Sequence, residues 1–82
     1  MSHVRVHIQL VNAHSTDRML ILEPWATEYV LRAKKVYDLY LEGDTNHPAR
    51  IELTPEGITI GTLDSEGVDA QLFEDGRDIT SQ

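Results

Sequence analysis

The chain has no cysteine, one tryptophan, and seven Lys and Arg residues against fourteen Asp and Glu. Each shortage excludes something. Without cysteine there is no disulfide of the kind that reinforces small secreted domains, and no apolar signal stretch follows Met1. Both features predict a reducing compartment, the cytoplasm. No apolar run approaches the roughly 18 residues of a membrane-spanning helix. The longest is Met19-Leu20-Ile21-Leu22, so a soluble chain with no membrane partner is expected. The shortage of bases argues against nucleic acid, because Arg32, Lys34 and Lys35 alone make too small a footprint on a phosphate backbone. Neither a glycine-rich phosphate loop nor a nucleophile elbow is present.

The acids are unevenly placed. Residues 1–50 hold six acids and six bases, which cancel; residues 51–82 hold Glu52, Glu56, Asp64, Glu66, Asp69, Glu74, Asp75 and Asp78 against Arg77. The net charge of −7 therefore belongs to the C-terminal part. Such an excess forms either a solvated, solubilising face or a docking surface for a basic partner. With 40% apolar residues the composition is that of a folded chain, and 82 residues make one domain, residues 1–82. A domain of this size buries only about 60 to 65 per cent of the surface its unfolded chain exposes.

Residues 3–10 alternate strictly, with Val4, Val6, Ile8 and Leu10 on one face and His3, Arg5, His7 and Gln9 on the other. That pattern predicts a strand with one buried face. Residues 12–17 read as a turn, since Asn, Ser and Asp side chains satisfy the local backbone. Residues 18–23 are apolar on both faces, as in a central strand, and Pro24 predicts a stop or bulge at Glu23-Pro24. Residues 27–42 allow two readings. Tyr29, Val30, Ala33, Val36, Tyr37, Tyr40 and Leu41 recur at helical spacing, but Leu31 and Leu39 fall outside that stripe and no Ser, Asp or Asn caps the segment. Two strands, 27–32 and 35–42, turning near Ala33-Lys34, are the preferred reading, with Tyr37, Leu39 and Leu41 on one face.

Residues 43–48 read as a loop. Residues 50–54 and 58–62 flank Thr54-Pro55-Glu56-Gly57, a hairpin in which Pro pre-sets φ, Gly supplies a left-handed position, and Ile51, Leu53, Ile58 and Ile60 point inward. Asp64-Ser65-Glu66-Gly67 forms another turn, and Asp75-Gly76 joins strands 68–73 and 77–79. Seven or eight short strands predict an all-β fold, a small antiparallel β-sandwich or partly open barrel.

Within this pattern, Leu22-Glu23-Pro24-Trp25 with Tyr29, Gly57-Ile58-Thr59-Ile60, and Phe73-Glu74-Asp75-Gly76 resemble a family of small bacterial all-β proteins that carry a Leu-Glu-Pro-Trp-Gly-x-x-Tyr segment and have no established function. The likeness runs from about Leu20 to Ile79. It implies a fold and leaves the activity open. Two positions depart from the family pattern: Ala26 replaces Gly, and Ala33-Lys34-Lys35 replaces a Pro-Gly turn. If the backbone needs positive φ at position 26, alanine there costs about 1 kcal/mol.

Chemistry is sparse. His3 and His7 share a strand face, yet four residues at roughly 3.3 Å rise separate them by about 13 Å, too far to chelate one ion. His14 and His47 fall in loops. Asp64 to Asp69 lacks the glycine position and terminal Glu of a calcium loop, and Ser15, Thr16, His14 and Asp17 crowd one short loop, where a triad is rarely in line. No catalytic, cofactor or metal site is expected. The remaining candidate is the segment around Trp25: either a core plug, with Pro24 ending the strand, or an interaction patch of Glu23, Trp25 and Tyr29. The expected role is a non-catalytic protein–protein interaction or accessory module, with an unknown protein partner or a second copy of the chain. A small-molecule or metal-binding module is the alternative.

Overall fold

The alternation at residues 3–10 becomes strand β1 (His3–Val11), and the apolar run becomes β2 (Arg18–Leu22). The remaining strands are β3 (Thr27–Leu31), β4 (Val36–Asp44), β5 (Ala49–Leu53), β6 (Gly57–Thr62), β7 (Asp69–Glu74) and β8 (Arg77–Asp78). The structure is a computed structural model that describes residues 3–23, 26–44, 49–62 and 69–81, and these contain no helix. Tyr37, Leu39 and Leu41 pack inward from β4, so the residue alternation, and not the helical stripe, decides residues 27–42.

Two four-stranded sheets result, ordered β1-β4-β7-β8 and β3-β2-β6-β5. They are not closed into a barrel. The fold is an all-β sandwich, antiparallel except for β2 and β6, which run parallel with Met19 opposite Gly57 and Leu22 opposite Ile60. Purely antiparallel pairing, as the hairpin signals suggest, is corrected at this one ladder. The core lies between the sheets. Leu39, Leu41 and Leu72 from one face Leu20, Leu22, Leu31 and Ile60 from the other, and Ile8, Leu10, Ile58 and Ala70 pack at its margin. Burying such a side chain contributes about 1.5 to 3 kcal/mol, which is the main force holding the layers together.

The turn at Ala33-Lys34 sits where the sequence places it, but it carries the chain from one sheet to the other instead of closing a hairpin. It is bonded to an earlier crossover between the sheets, residues 12–17. Asn12 N–H donates to the Lys35 carbonyl (3.1 Å), Lys34 N–H to the Asn12 carbonyl (2.9 Å), and Ala33 N–H to Asp17 Oδ1 (2.9 Å). The buried Asn12 side chain donates to the carbonyls of Thr16 and Leu31 and accepts from His14 N–H. A polar residue is affordable in the interior here because all its hydrogen-bonding groups are met.

Four described residues have positive φ: Ala26 (56°), Lys34 (64°), Asp75 (47°) and Gly76 (87°). Asp75-Gly76 is thus a two-residue hairpin turn of the type that needs positive φ twice. Gly57 is not among them. Its role in the β5–β6 hairpin is spatial, since a Cβ there would stand 1.9 Å from the Met19 carbonyl oxygen. Ala26 and Lys34 adopt this conformation without being glycine and outside the Asp75-Gly76 turn. Ala26→Gly is expected to stabilise the fold by about 0.5 to 1 kcal/mol, the left-handed penalty less the added freedom of the unfolded chain. Urea denaturation checks this; an unchanged or lower midpoint contradicts it.

Candidate functional site

Three surface regions gather side chains outside the core. At one side of the sandwich a cleft of about 480 Å³ is lined by Asp17, Tyr29, Arg32, Glu74, Arg77 and Ile79, among others. Glu74 is buried on β7 and is bound across the layers. Arg32 Nε and Nη2 donate to its two oxygens (2.9 and 2.6 Å), and the fully buried Tyr37 hydroxyl donates to Oε2 (2.5 Å). Arg77 stands 3.6 Å away. The Arg32 bonds first, then that of Tyr37, hold the Glu74 carboxyl down at about 2 against the opposing effect of burial. Burial and the neighbouring carboxylate push the Tyr37 phenol up, and the carboxylate strengthens the proton's hold on Arg32. Tyr37 also accepts from Arg32 N–H (2.7 Å). Every group in this cluster is engaged with another, so it works as a clamp between the sheets.

The second region is the outer face of the β1-β4-β7-β8 sheet. Tyr40 at its centre stacks on His7 (4.4 Å between centroids), meets Phe73 edge-on (5.7 Å) and lies under the Arg5 guanidinium (4.3 Å). Asp38 is 2.7 Å from His7 Nε2, and Arg5 donates to Gln71 (3.1 Å). These are cross-strand pairs of the kind that stabilise a sheet face.

The third region is β5. Tyr29 donates to the Thr80 carbonyl (2.5 Å) and Arg32 reaches Glu74, which fixes β3 over the β7–β8 side. β1 and β5 are left at the other side, where Val11 and Leu53 flank a groove of about 250 Å³. All five β5 residues are exposed. Ile51 and Leu53 pair with Ile60 and Ile58 and so share the inward face, yet they are 52% and 82% exposed. The expectation that both are buried is corrected: they point inward, but at the sheet's end no described strand of the opposite layer covers them. Val6 and Val11 on β1 are exposed as well.

β5 also has a free edge. Thr54 and Gly57 exchange both backbone hydrogen bonds (2.9 and 3.2 Å). In an antiparallel ladder such pairs alternate, so residues 52 and 50 bond into β6 while the N–H and C=O groups of Ala49, Ile51 and Leu53 face outward. Among the described residues nothing pairs with them.

Of the residues singled out around Trp25, Tyr29 and Glu23 lie on opposite faces of their sheet. Tyr29 is buried in the core, and its burial, then the nearby Asp78 charge, raises its pKa. Glu23 follows Met19 and Ile21 onto the opposite face, is half-buried, and donates its N–H to the Ile60 carbonyl (2.9 Å). Pro24 and Trp25 lie outside the described residues, as do His47 and the turn at 64–67. Among the described residues no three His, Asp or Glu side chains converge as metal ligands would, and His14 is exposed on its loop. Sequence reasoning missed the Glu74 clamp and counted Glu74 with the acidic excess. That a sheet edge is open was foreseen, but the reading of residues 50–54 as a hairpin strand with Ile51 and Leu53 inward did not identify it as the edge strand. Comparison of the chain with protein-family models, curated proteins and solved structures found no match.

Proposed function

We propose that this domain is a non-catalytic protein-interaction module that binds by accepting a strand along the free edge of β5. The observation that carries this reading is the coincidence, on one exposed strand, of outward-facing backbone groups at Ala49, Ile51 and Leu53 with uncovered apolar side chains at Ile51 and Leu53. Strand addition needs both: backbone bonds for affinity and alternate side chains for specificity. Natural edge strands are usually blunted by Pro, bulges or inward-pointing charges, and β5 has none of these. The excess of acids and the scattered bases speak against nucleic acid as the ligand, and the absence of cysteine supports a cytoplasmic site of action.

Ile51→Pro tests the reading. Because the Ile51 N–H faces the open edge, proline removes a donor for an incoming strand and none from the β5–β6 ladder. The variant should melt with the wild type and, immobilised in source lysate, fail to retain a protein, the chain itself included, that wild type retains. Equal retention by both would rule out the β5 edge.

A further inference from the structure

The sequence of β5 is complementary to itself. We infer that the strand added to β5 is β5 of a second copy of this chain, paired antiparallel about a two-fold axis at Ile51, an inference that rests on strand addition at this edge. In that register Ile51 faces its own copy, Arg50 faces Glu52, Glu52 faces Arg50, and Ala49 faces Leu53. The charges and the apolar groups segregate correctly. Arg50 and Glu52, opposite Gly61 and Thr59 across the β5–β6 ladder, both lie on the outer face; Ala49, Ile51 and Leu53 lie on the inner one.

The backbone agrees with the side chains. The residues whose N–H and C=O groups face outward are 49, 51 and 53. Pairing 51 with 51 and 49 with 53 makes each of these a hydrogen-bonded pair, so every outward group on the strand finds a partner. Arg50 and Glu52 then occupy the intervening non-hydrogen-bonded positions, where side chains across an antiparallel pair come closest. A register shifted by one residue toward either end would set Arg50 or Glu52 against its own copy.

Among the described residues no other long edge strand has this property. β1 carries Arg5 and no acid among its nine residues, and β3 carries Glu28 alone, so neither can form reciprocal opposite-charge pairs with itself. On β5, Arg50 and Glu52 are exposed, and their side chains make no ion pair or hydrogen bond with the described residues. Pairing joins the two β3-β2-β6-β5 sheets into one eight-stranded sheet and brings Ile51 and Leu53 of each copy against apolar groups of the other. Such an interface is small, and it belongs with weak, concentration-dependent dimers.

Sedimentation velocity over a concentration series, on the purified chain at low salt, reads the association. The wild type should form a dimer on concentration. R50E alone and E52R alone each turn two attractive pairs into like-charge pairs, and should each weaken the dimer about tenfold. The double reversal R50E/E52R restores opposite charges in the same register and should recover most of the wild-type association. All four positions of charge are on an exposed strand, so folding is not at stake. A wild type that stays monomeric throughout, or a dimer indifferent to both single reversals, overturns the inference. A monomeric wild type that nevertheless captures a lysate protein in an Ile51-dependent way overturns the second copy alone and leaves the interaction module standing; a dimer that persists in Ile51→Pro overturns the pairing of two β5 strands, and equal lysate retention by that variant and the wild type overturns the module as well.

Discussion

Replacing Gly57 with alanine is expected to cost about 3 kcal/mol, a large share of the stability of a domain this small. An added Cβ would lie 1.9 Å from the Met19 carbonyl oxygen, 2.7 Å from its nitrogen and 2.8 Å from its carbonyl carbon. All three are backbone atoms of a central strand. Met19 donates its N–H to the Glu56 carbonyl (3.0 Å) and sits between β3 and β6, so it cannot retreat without breaking ladders on both sides. Gly76→Ala serves as the comparison. Nothing lies within 4 Å of a Cβ there, and only the left-handed φ of 87° is penalised, at about 1 kcal/mol. Urea midpoints should rank wild type, then Gly76→Ala, then Gly57→Ala well below. A Gly57→Ala protein as stable as Gly76→Ala would show that the β2–β6 approach is looser than described.

The second large effect is expected on acidification. Glu74 titrates at about 2 in the folded protein against an ordinary 4.5, so its contribution is present in full above pH 4.5 and is lost as pH falls towards 2. Asp78, held down by the Thr80 hydroxyl and then by the Thr80 N–H, acts in the same direction. Between pH 5 and pH 2 the Glu74 clamp should give up on the order of 1 to 2 kcal/mol. The full linkage value is reduced because Arg32, its main partner, is half exposed and screened by solvent. Glu74→Gln should lose a similar amount at neutral pH and show a flatter decline below pH 5. Thermal unfolding over a pH series measures both curves. If wild type and Glu74→Gln decline in parallel, the carboxylate is not what ties the layers together.

Much of the fold was legible because its signals are local. Alternation in β1 and β4, Pro55 before the β6 strand, and Asp75-Gly76 each act within a few residues, and each structure formed where its pattern lay. What was illegible depends on which strand lies over which. Ile51 and Leu53 read as core because their face was judged correctly; whether that face is covered is decided by the opposite sheet. The same holds for Glu74, whose partners Arg32 and Tyr37 are 42 and 37 residues away and whose own neighbours suggest only an acidic turn. Gly57 looked like a turn glycine. Its true constraint comes from Met19, on a strand that no local signal pairs with it. The segment around Trp25 drew attention for its composition, but strand parity sends Tyr29 and Glu23 to opposite faces.

The parallel β2–β6 ladder has a consequence for how the chain acquires its shape. Between those two strands the polypeptide forms β3, crosses to the other layer for β4, and returns for β5. The β2–β3 hairpin made early in synthesis therefore waits, one edge bare, from Leu31 until β6 begins at Gly57. β4 likewise pairs with β1 behind it and needs β7 ahead of it. Neither layer can be completed before most of the other exists, so the two sheets are finished together and late. A chain with so many distant pairings folds on the slower, millisecond-to-second side of small domains, and half of it is no smaller version of the whole.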